Sequence, residues 1–135
     1  NRDGGVVTTR NVGVDLVDVA RFTLALERHP RLAERLFTEG ERRDAKSRPE
    51  RLAARFAAKE AVLKTFRVGI GATPWRSIEV TTDDAGAPSV VLHAPALALA
   101  RAAGVETLHL SMTHTHVTAA AFVVGSSMED ETSAR

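Results

Sequence analysis

The chain has 135 residues, enough for one domain, and 44% of them are hydrophobic, which allows a buried core. Its 18 Lys and Arg residues nearly balance 17 Asp and Glu residues, so the net charge of +1 provides no overall attraction to nucleic acid or membranes. No cysteine is present, which excludes disulfides, iron–sulfur clusters and thiolate zinc sites and agrees with a reducing cytoplasm. No apolar run reaches the roughly 20 residues of a membrane span, so we expect a cytoplasmic protein without nucleic-acid or membrane partners.

The two ends of the chain are polar. Residues 1–10 and 126–135 have no periodic apolar face, and we predict that both are flexible tails. The first predicted element is a strand over residues 11–17, where apolar and polar side chains alternate. Asp18 then has a suitable side chain to cap a helix that runs to about Arg28.

Three further helical segments are predicted before the first glycine-rich loop. A segment over residues 30–37 begins with a proline, which suits the first turn of a helix. Residues 39–47 are strongly charged and predict a short exposed helix or a loop. The longest helix is predicted over residues 50–66, and Gly69 and Gly71 are expected to end it.

The second half of the chain predicts mainly pairs of strands. In order, the predicted elements are a strand at 77–82, a turn at 83–86, a strand at 89–93, a helix at 95–103, and strands at 107–113 and 117–124. The short connections predict that each pair of strands is a hairpin. Helices early in the chain and strand pairs late indicate an α+β fold, in which an antiparallel sheet packs with one long helix and several short ones. We expect a single domain over residues 11–125.

The predicted long helix carries a carboxylate on its apolar side. At about 100° per residue, Leu52, Phe56 and Leu63 fall on one stripe. Glu60 lies on the same stripe, about 40° from Phe56. A carboxylate turned toward the buried side is costly unless it is paired, protonated or bound to a cation. Two interpretations are open, an ion pair with Lys64 one turn later or a metal ligand.

Asp15 is the candidate for a second ligand, because it lies near the end of the first strand on the polar face of its alternation. Its other interpretation is an aspartate that caps a helix or a turn. Hard divalent cations such as Mg²⁺ take one or two protein carboxylates and leave their other positions to water and substrate phosphate. Asp15 and Glu60 would suit such a cation if folding brings them together.

Five segments carry motifs in a particular order. They are VGVDLV at 12–17, RFAAKEAVLK at 55–64, GIG at 69–71, DAGAP at 84–88 and LSMTH at 110–114. The set resembles the motifs of the holo-acyl-carrier-protein synthases, the small trimeric type of 4′-phosphopantetheinyl transferase. Order and spacing agree over residues 11–125, and the resemblance implies the 4′-phosphopantetheinyl transferase fold.

The resemblance implies a reaction and a set of catalytic residues. The 4′-phosphopantetheine arm of coenzyme A would pass to a serine hydroxyl of an apo acyl carrier protein, with release of 3′,5′-ADP. Asp15 and Glu60 would hold Mg²⁺, for which Mn²⁺ could substitute, and the ion would bind the pyrophosphate of coenzyme A. Lys64 would lie beside the same phosphates, where it adds a second cation. The general base stays unassigned, since a water near either carboxylate serves equally well.

The resemblance also implies a set of side chains that contact coenzyme A. These are Arg55, Lys59, Gly69, Gly71, Ser111 and His114. The glycines are equally compatible with an ordinary helix end and turn, and a single histidine at a strand end is equally compatible with a structural role. Threonine follows His114 where many members of the family have an acidic or other polar residue.

The carrier protein is expected to be acidic and therefore to need a local basic face. Arg21 and Arg28 are two helical turns apart on one face of the first helix, and Arg31 and Arg35 mark the next helix. The resemblance implies that arginines of this region contact the carrier, although four ordinary surface arginines would look the same. It also implies a homotrimer with active sites between subunits, and residues 118–124 are apolar on both faces, as in a covered strand.

Two alternative functions have some support in the residues. His109, His114 and His116 could ligate zinc in a hydrolase, but this assignment would leave Glu60 unexplained. The second alternative is a non-catalytic module that binds coenzyme A or a carrier protein. The presence of Asp15, Glu60 and Lys64 argues against this alternative.

Overall fold

The strands and helices follow the predicted order. A computed structural model describes residues 5–130. The strands are β1 (Gly5–Asp18), β2 (Ile78–Thr82), β3 (Pro88–Leu92), β4 (Thr107–His114) and β5 (Thr118–Asp130). The helices are α1 (Val19–Arg28), α2 (Leu32–Leu36), α3 (Glu39–Asp44), α4 (Pro49–Thr65) and α5 (Ala94–Ala102), with a 3₁₀ turn at Trp75–Ser77. None of these helices is long and apolar enough to cross a membrane.

The strands form two antiparallel sheets. One has the order β1-β5-β4, and the other is the β2-β3 hairpin. Helix α4 packs across β1 and β5, and the buried core lies between this helix and the sheets. The α+β fold with antiparallel sheets and one long helix is therefore confirmed.

The prediction of flexible tails is wrong for the parts that the structure describes. Residues 5–10 extend β1 and residues 126–130 extend β5, and the two segments pair with each other from Gly5 opposite Asp130 onward. Polar segments can form paired strands because the hydrogen bonds between strands use backbone groups, whatever the side chains are. Contacts between side chains on the two strands add to this pairing. Arg10 donates to the Ser127 hydroxyl at 2.6 Å and forms an ion pair with Glu129. Residues 1–4 and 131–135 lie outside the described residues.

Helix α4 approaches β1 closely because both elements present small residues there. Ala57 and Ala61 are fully buried, and a Cβ atom built on Gly13 would overlap the carbonyl oxygen of Ala61. Only a glycine lets the strand backbone lie against the helix at this distance. This contact is two residues before Asp15, so it determines how near the strand brings that carboxylate to α4.

The ends of the helices agree only in part with the prediction. Asp18 caps α1 as predicted, since its carboxylate accepts from the Arg21 amide at 2.9 Å. Helix α4 ends before Gly69, because Arg67 adopts the left-handed conformation with φ of 58°. The Val68 amide then donates to the Leu63 carbonyl at 3.1 Å, the bond of a Schellman motif. Gly69 therefore does not end the helix.

Candidate active site

The central feature is a pair of carboxyl groups, one from β1 and one from α4. Asp15 and Glu60 lie side by side, so the side chain that the helical pattern placed on the buried face meets the first strand. The pKa of Glu60 is raised to about 7, first by burial and then by the hydrogen bond and negative charge of Asp15, while Lys64 opposes the rise. Two acidic groups this close favour sharing a proton or binding a cation.

Lys64 completes this cluster from one helical turn further along α4. Its ammonium donates to Asp15 Oδ1 at 2.9 Å and to the Val14 carbonyl oxygen at 2.9 Å. The sequence suggested an ion pair between Lys64 and Glu60 on the same helix. In the structure Lys64 instead forms its ion pair with Asp15 of the neighbouring strand β1. Asp15, Glu60 and Lys64 are thus brought together.

The donor set fits a hard divalent cation. The second oxygen of Asp15, Oδ2, is buried and accepts no hydrogen bond from an amide, hydroxyl or ammonium group of the described residues, so that only a protonated Glu60 or a cation could satisfy it. Within residues 5–130 no group of three or more His, Cys, Asp or Glu side chains could hold a metal, so the protein offers two carboxylates. Such a site suits Mg²⁺, which keeps its other positions for water and phosphate oxygens, and does not suit a closed zinc site.

A cavity of about 330 Å³ lies beside α4 and the end of β4. Its lining includes Asp44, Arg51, Arg55, Thr113 and His114. Arg55 is 7% exposed, donates to the Arg51 carbonyl oxygen at 3.3 Å, and has a buried Nε without a partner among the described residues. Burial lowers the pKa of Arg55, and the nearby charges of Asp44 and Glu41 oppose this effect.

The cavity unites Arg55 and His114, which are 59 positions apart in the sequence. Asp44 and Arg51 also line it, and sequence reasoning missed both. Arg51 is one turn before Arg55 on α4, so helical spacing could have identified it. Nothing in the sequence placed Asp44 there, because it belongs to the short helix α3.

Lys59, interpreted from the sequence as a coenzyme A contact, points into the interior of the fold and not into the cavity. Lys59 is fully buried, and its ammonium donates to Glu41 Oε1 at 2.8 Å and to the carbonyl oxygens of Trp75 and Ile78. Burial lowers the pKa of Lys59, and the charge and hydrogen bond of Glu41 oppose the change. Glu41 is buried too, so the segment 39–47 is not exposed throughout. A lysine with these three bonds has no group left for a ligand.

The remaining predicted contacts do not reach the cavity. Ser111 is on the outer face of β4, whereas His114 lies at the strand end beside the cavity. Gly69 and Gly71 are exposed in the loop after α4, with open space where a Cβ would be. Gly71 has a φ of +94°, which explains the need for glycine there.

The histidines do not form a zinc site. His109 and His114 are five positions apart on β4, so their side chains point to opposite faces of the strand. His109 Nε2 lies 3.3 Å from the Ser126 hydroxyl, far from the cavity beside His114. The zinc hydrolase alternative is therefore wrong.

An arginine-rich surface lies on the helices before α4. Arg21 and Arg28 are exposed on α1. Arg31, Glu34, Arg35 and Arg76 line a groove of about 570 Å³ beside α2. Arg76 was missed from the sequence, because it comes from the 3₁₀ turn more than 40 residues later. We call the four arginines Arg21, Arg28, Arg31 and Arg35 the basic face.

Comparisons with known proteins identify the family of the chain. A family model described as the 4′-phosphopantetheinyl transferase superfamily matches residues 11–121. A holo-[acyl-carrier-protein] synthase of Moorella thermoacetica is 44% identical over 123 residues, which is 88% of this chain and 96% of that protein. One of Clavibacter michiganensis is 48% identical, with coverage of 85% and 93%.

The fold is also shared with a solved relative. The crystal structure of a holo-(acyl-carrier-protein) synthase from Bacillus anthracis in complex with CoA (3′,5′-ADP) superposes with a TM-score of 0.72 at 33% identity. It covers 88% of this chain and 97% of that chain. From the match of the family model and the identity to these relatives, the chain belongs to the 4′-phosphopantetheinyl transferase superfamily.

Proposed function

We propose that the chain is a holo-acyl-carrier-protein synthase. It transfers the 4′-phosphopantetheine group from coenzyme A to a serine hydroxyl of an apo acyl carrier protein and releases 3′,5′-ADP, in the cytoplasm and in support of fatty acid biosynthesis. The observation that carries the proposal is the joined cluster of Asp15, Glu60 and Lys64, which unites two ligands for a hard cation with a phosphate-binding ammonium. The names of the relatives support the same activity.

Each residue of the cluster has a role in this reaction. Asp15 and Glu60 would hold Mg²⁺ or Mn²⁺, with the unpartnered Oδ2 of Asp15 as one ligand atom. When bound, the metal would neutralise charge on the pyrophosphate oxygens. Lys64, held by Asp15, would stabilise the negative charge that develops as the β-phosphate is attacked and 3′,5′-ADP leaves.

The nucleotide end of coenzyme A fits the cavity lined by Arg55 and His114. Its phosphates are anions, and the buried Nε of Arg55 has a free N–H to donate. Arg51 adds a second guanidinium and His114 an imidazole. Gly69 and Gly71 lie in the loop that follows α4, where the absence of a side chain at these two positions would let the backbone come close to coenzyme A.

The basic face is the proposed docking surface for the acidic carrier. Because the chain as a whole is nearly neutral, this local charge would steer the carrier and make association sensitive to salt. We expect Arg21→Glu or Arg28→Glu to raise the KM for the carrier much more than the KM for coenzyme A. Arg101→Glu, an exposed arginine on α5, serves as the control. Equal changes in both KM values would contradict the assignment.

A homotrimer with active sites between subunits is supported by the outer face of the three-stranded sheet. Val12, Val14, Leu16 and Phe122 share this face and are between 47% and 68% exposed. Contiguous apolar surface of this kind is typical of an interface. Ser111 is opposite Phe122 in the sheet register and lies on the same face. At the proposed interface it would therefore contact the coenzyme A that is bound at the active site of a neighbouring subunit.

The proposal is tested by incubating the protein with an apo carrier, coenzyme A and Mg²⁺ and measuring the mass of the carrier. We expect a gain of one phosphopantetheine arm, no gain with a chelator, and severe loss of rate in Asp15→Ala and Glu60→Ala. A protein that binds coenzyme A but never modifies any carrier would instead be the non-catalytic module. Full activity in both variants would contradict the assignment of the ligands.

A further inference from the structure

A buried ion pair next to the active site has no role in the chemistry described above. Lys59 and Glu41 are both fully buried, and they join α4 to α3 at an N–O distance of 2.8 Å. The lysine ammonium has three hydrogen-bond partners, which is all that it can donate to. Its orientation is therefore determined by three acceptors from two segments of the chain, α3 and residues 75–78.

The carboxylate of Glu41 is held equally firmly. Its Oε1 accepts from the Thr38 amide at 2.9 Å as well as from Lys59, and its Oε2 accepts from the Val80 amide of β2 at 2.8 Å. The side chain thus links the start of α3, the middle of α4 and a strand. A fully satisfied pair of this kind specifies one arrangement of its elements even when it adds little stability.

Helix α4 has particular need of such a link. The buried apolar residues in its middle, from Ala53 to Ala61, are all alanine, and such small side chains interlock less with neighbouring elements than larger ones do. Glu60 is the next residue after Lys59, about 100° around the helix. Any rotation of α4 would therefore move the carboxyl group of Glu60 relative to Asp15, which is held on β1.

We propose that the Lys59–Glu41 pair is a positioning device that sets the rotation of α4 and so holds Glu60 against Asp15. The inference rests on the proposed role of these carboxylates as metal ligands. Groups that orient metal ligands typically change metal affinity by roughly 10- to 100-fold when removed. A displacement of about 1 Å at a reacting centre is enough to cost about 100-fold in rate.

The test compares metal binding with stability in matched variants. In Lys59→Met the carboxylate of Glu41 keeps its bonds to Thr38 and Val80, which limits the damage to the fold. The control is Val62→Ala, a cavity variant of the same helix at a fully buried position. Binding of Mn²⁺ is followed by electron paramagnetic resonance, with the metal alone and with coenzyme A, and Tm is measured for each protein.

We expect Lys59→Met to bind Mn²⁺ at least about 10-fold more weakly and to lose kcat, with an unchanged KM for the carrier. Val62→Ala should bind Mn²⁺ like the wild type at a comparable loss of Tm. If Lys59→Met does not fold, the double variant Glu41→Gln/Lys59→Met removes both charges of the pair and takes its place. It too should bind Mn²⁺ at least about 10-fold more weakly than the wild type.

Two outcomes would overturn the inference in different ways. Equal Mn²⁺ affinity in the wild type and in a folded Lys59 variant, or an equal loss in Val62→Ala, would show that the pair serves only the stability of the fold. Failure of the wild type to bind Mn²⁺, with or without coenzyme A, would overturn the metal site itself and the inference with it.

Discussion

The position of Asp15 depends on a residue that takes no part in chemistry. Gly13 lets β1 lie against α4, because any Cβ there would overlap the Ala61 carbonyl oxygen and crowd the Thr65 side chain. The glycine has a negative φ, so the requirement is for space and not for an unusual backbone conformation. The contact brings the strand close enough to α4 for Asp15 to meet Glu60 and Lys64.

Gly13→Ala is therefore expected to lower the free energy of unfolding by about 1–3 kcal/mol, the usual cost of overpacking. It should also reduce the rate of transfer, because the displaced strand moves Asp15 away from Glu60. Urea denaturation and the transfer assay measure the two effects. For the stability measurement the matched control is Gly69→Ala, where no atom lies within 4 Å of the added methyl group. Similar stability of the two variants would contradict this account.

The acidic pair also predicts how stability depends on pH. Glu60 has a folded pKa of about 7, above the 4.5 of an ordinary glutamate. A raised pKa means that the folded state holds the proton more tightly, so this stabilisation is present below about pH 4.5 and is lost as the pH rises through about 7. In the metal-free protein we expect the free energy of unfolding to fall over this interval on account of Glu60.

Denaturation of the chelator-treated protein from about pH 5 to about pH 8 checks this expectation. Glu60→Gln has no titrating proton, and the decline should be shallower in this variant. Added Mg²⁺ should stabilise the wild type most near pH 8, because there Glu60 has lost its proton and the ion can bind in its place. A parallel decline in both proteins would mean that Glu60 titrates normally.

Among the elements, the end of α4 does not follow the rule that a helix ends at the next glycine. Gly69 and Gly71 indicated the end of the helix, but Arg67 takes the left-handed position and the Schellman bond forms from Val68 to Leu63. Val68 packs against the core that includes Leu63, and this apolar contact favours stopping the helix at Phe66. Tertiary packing thus outweighs the conformational preference of glycine.

Arg67→Gly should accordingly stabilise the protein by about 0.5–1 kcal/mol, because glycine adopts the left-handed conformation without the Cβ penalty. Arg67→Ala, which keeps the Cβ and removes the guanidinium, is the control and should bring no such gain. Thermal and urea unfolding of the two variants provide the measurement. A loss of stability in Arg67→Gly would indicate that the arginine side chain contributes more than the strained backbone costs.

On the scale of the whole molecule, residues 5–130 cover the three-stranded sheet on only one side. Helix α4 buries Ala119, Ala121 and Val123 of β5, whereas the alternate residue Phe122 is 47% exposed. The sequence showed residues 118–124 of β5 to be apolar on both faces, and the structure reveals which face the described residues leave uncovered. The proposed homotrimer would bury this second face.

If the proposed homotrimer forms through this face, Phe122→Asp is expected to leave the protein monomeric and to abolish most activity, because a charge at the centre of the apolar face cannot be buried without a partner. Sedimentation or light scattering reports the mass, and the transfer assay reports the function. Val91→Asp, at an exposed position on β3, should change neither. A trimer that persists in Phe122→Asp would exclude this face as the interface.

The sequence by itself determined the order of the elements and the α+β class, because these follow from local periodicity and turn residues. Periodicity and motifs also selected Asp15, Glu60 and Lys64, which the structure brings together, and Arg55 and His114, which line one cavity. It did not predict the pairing of residues 5–10 with 126–130, the burial of Lys59 by Glu41, or the contribution of Asp44 to the cavity. Those features arise from contacts between segments far apart in the chain, where backbone pairing and the burial of charge depend on which surfaces folding brings together.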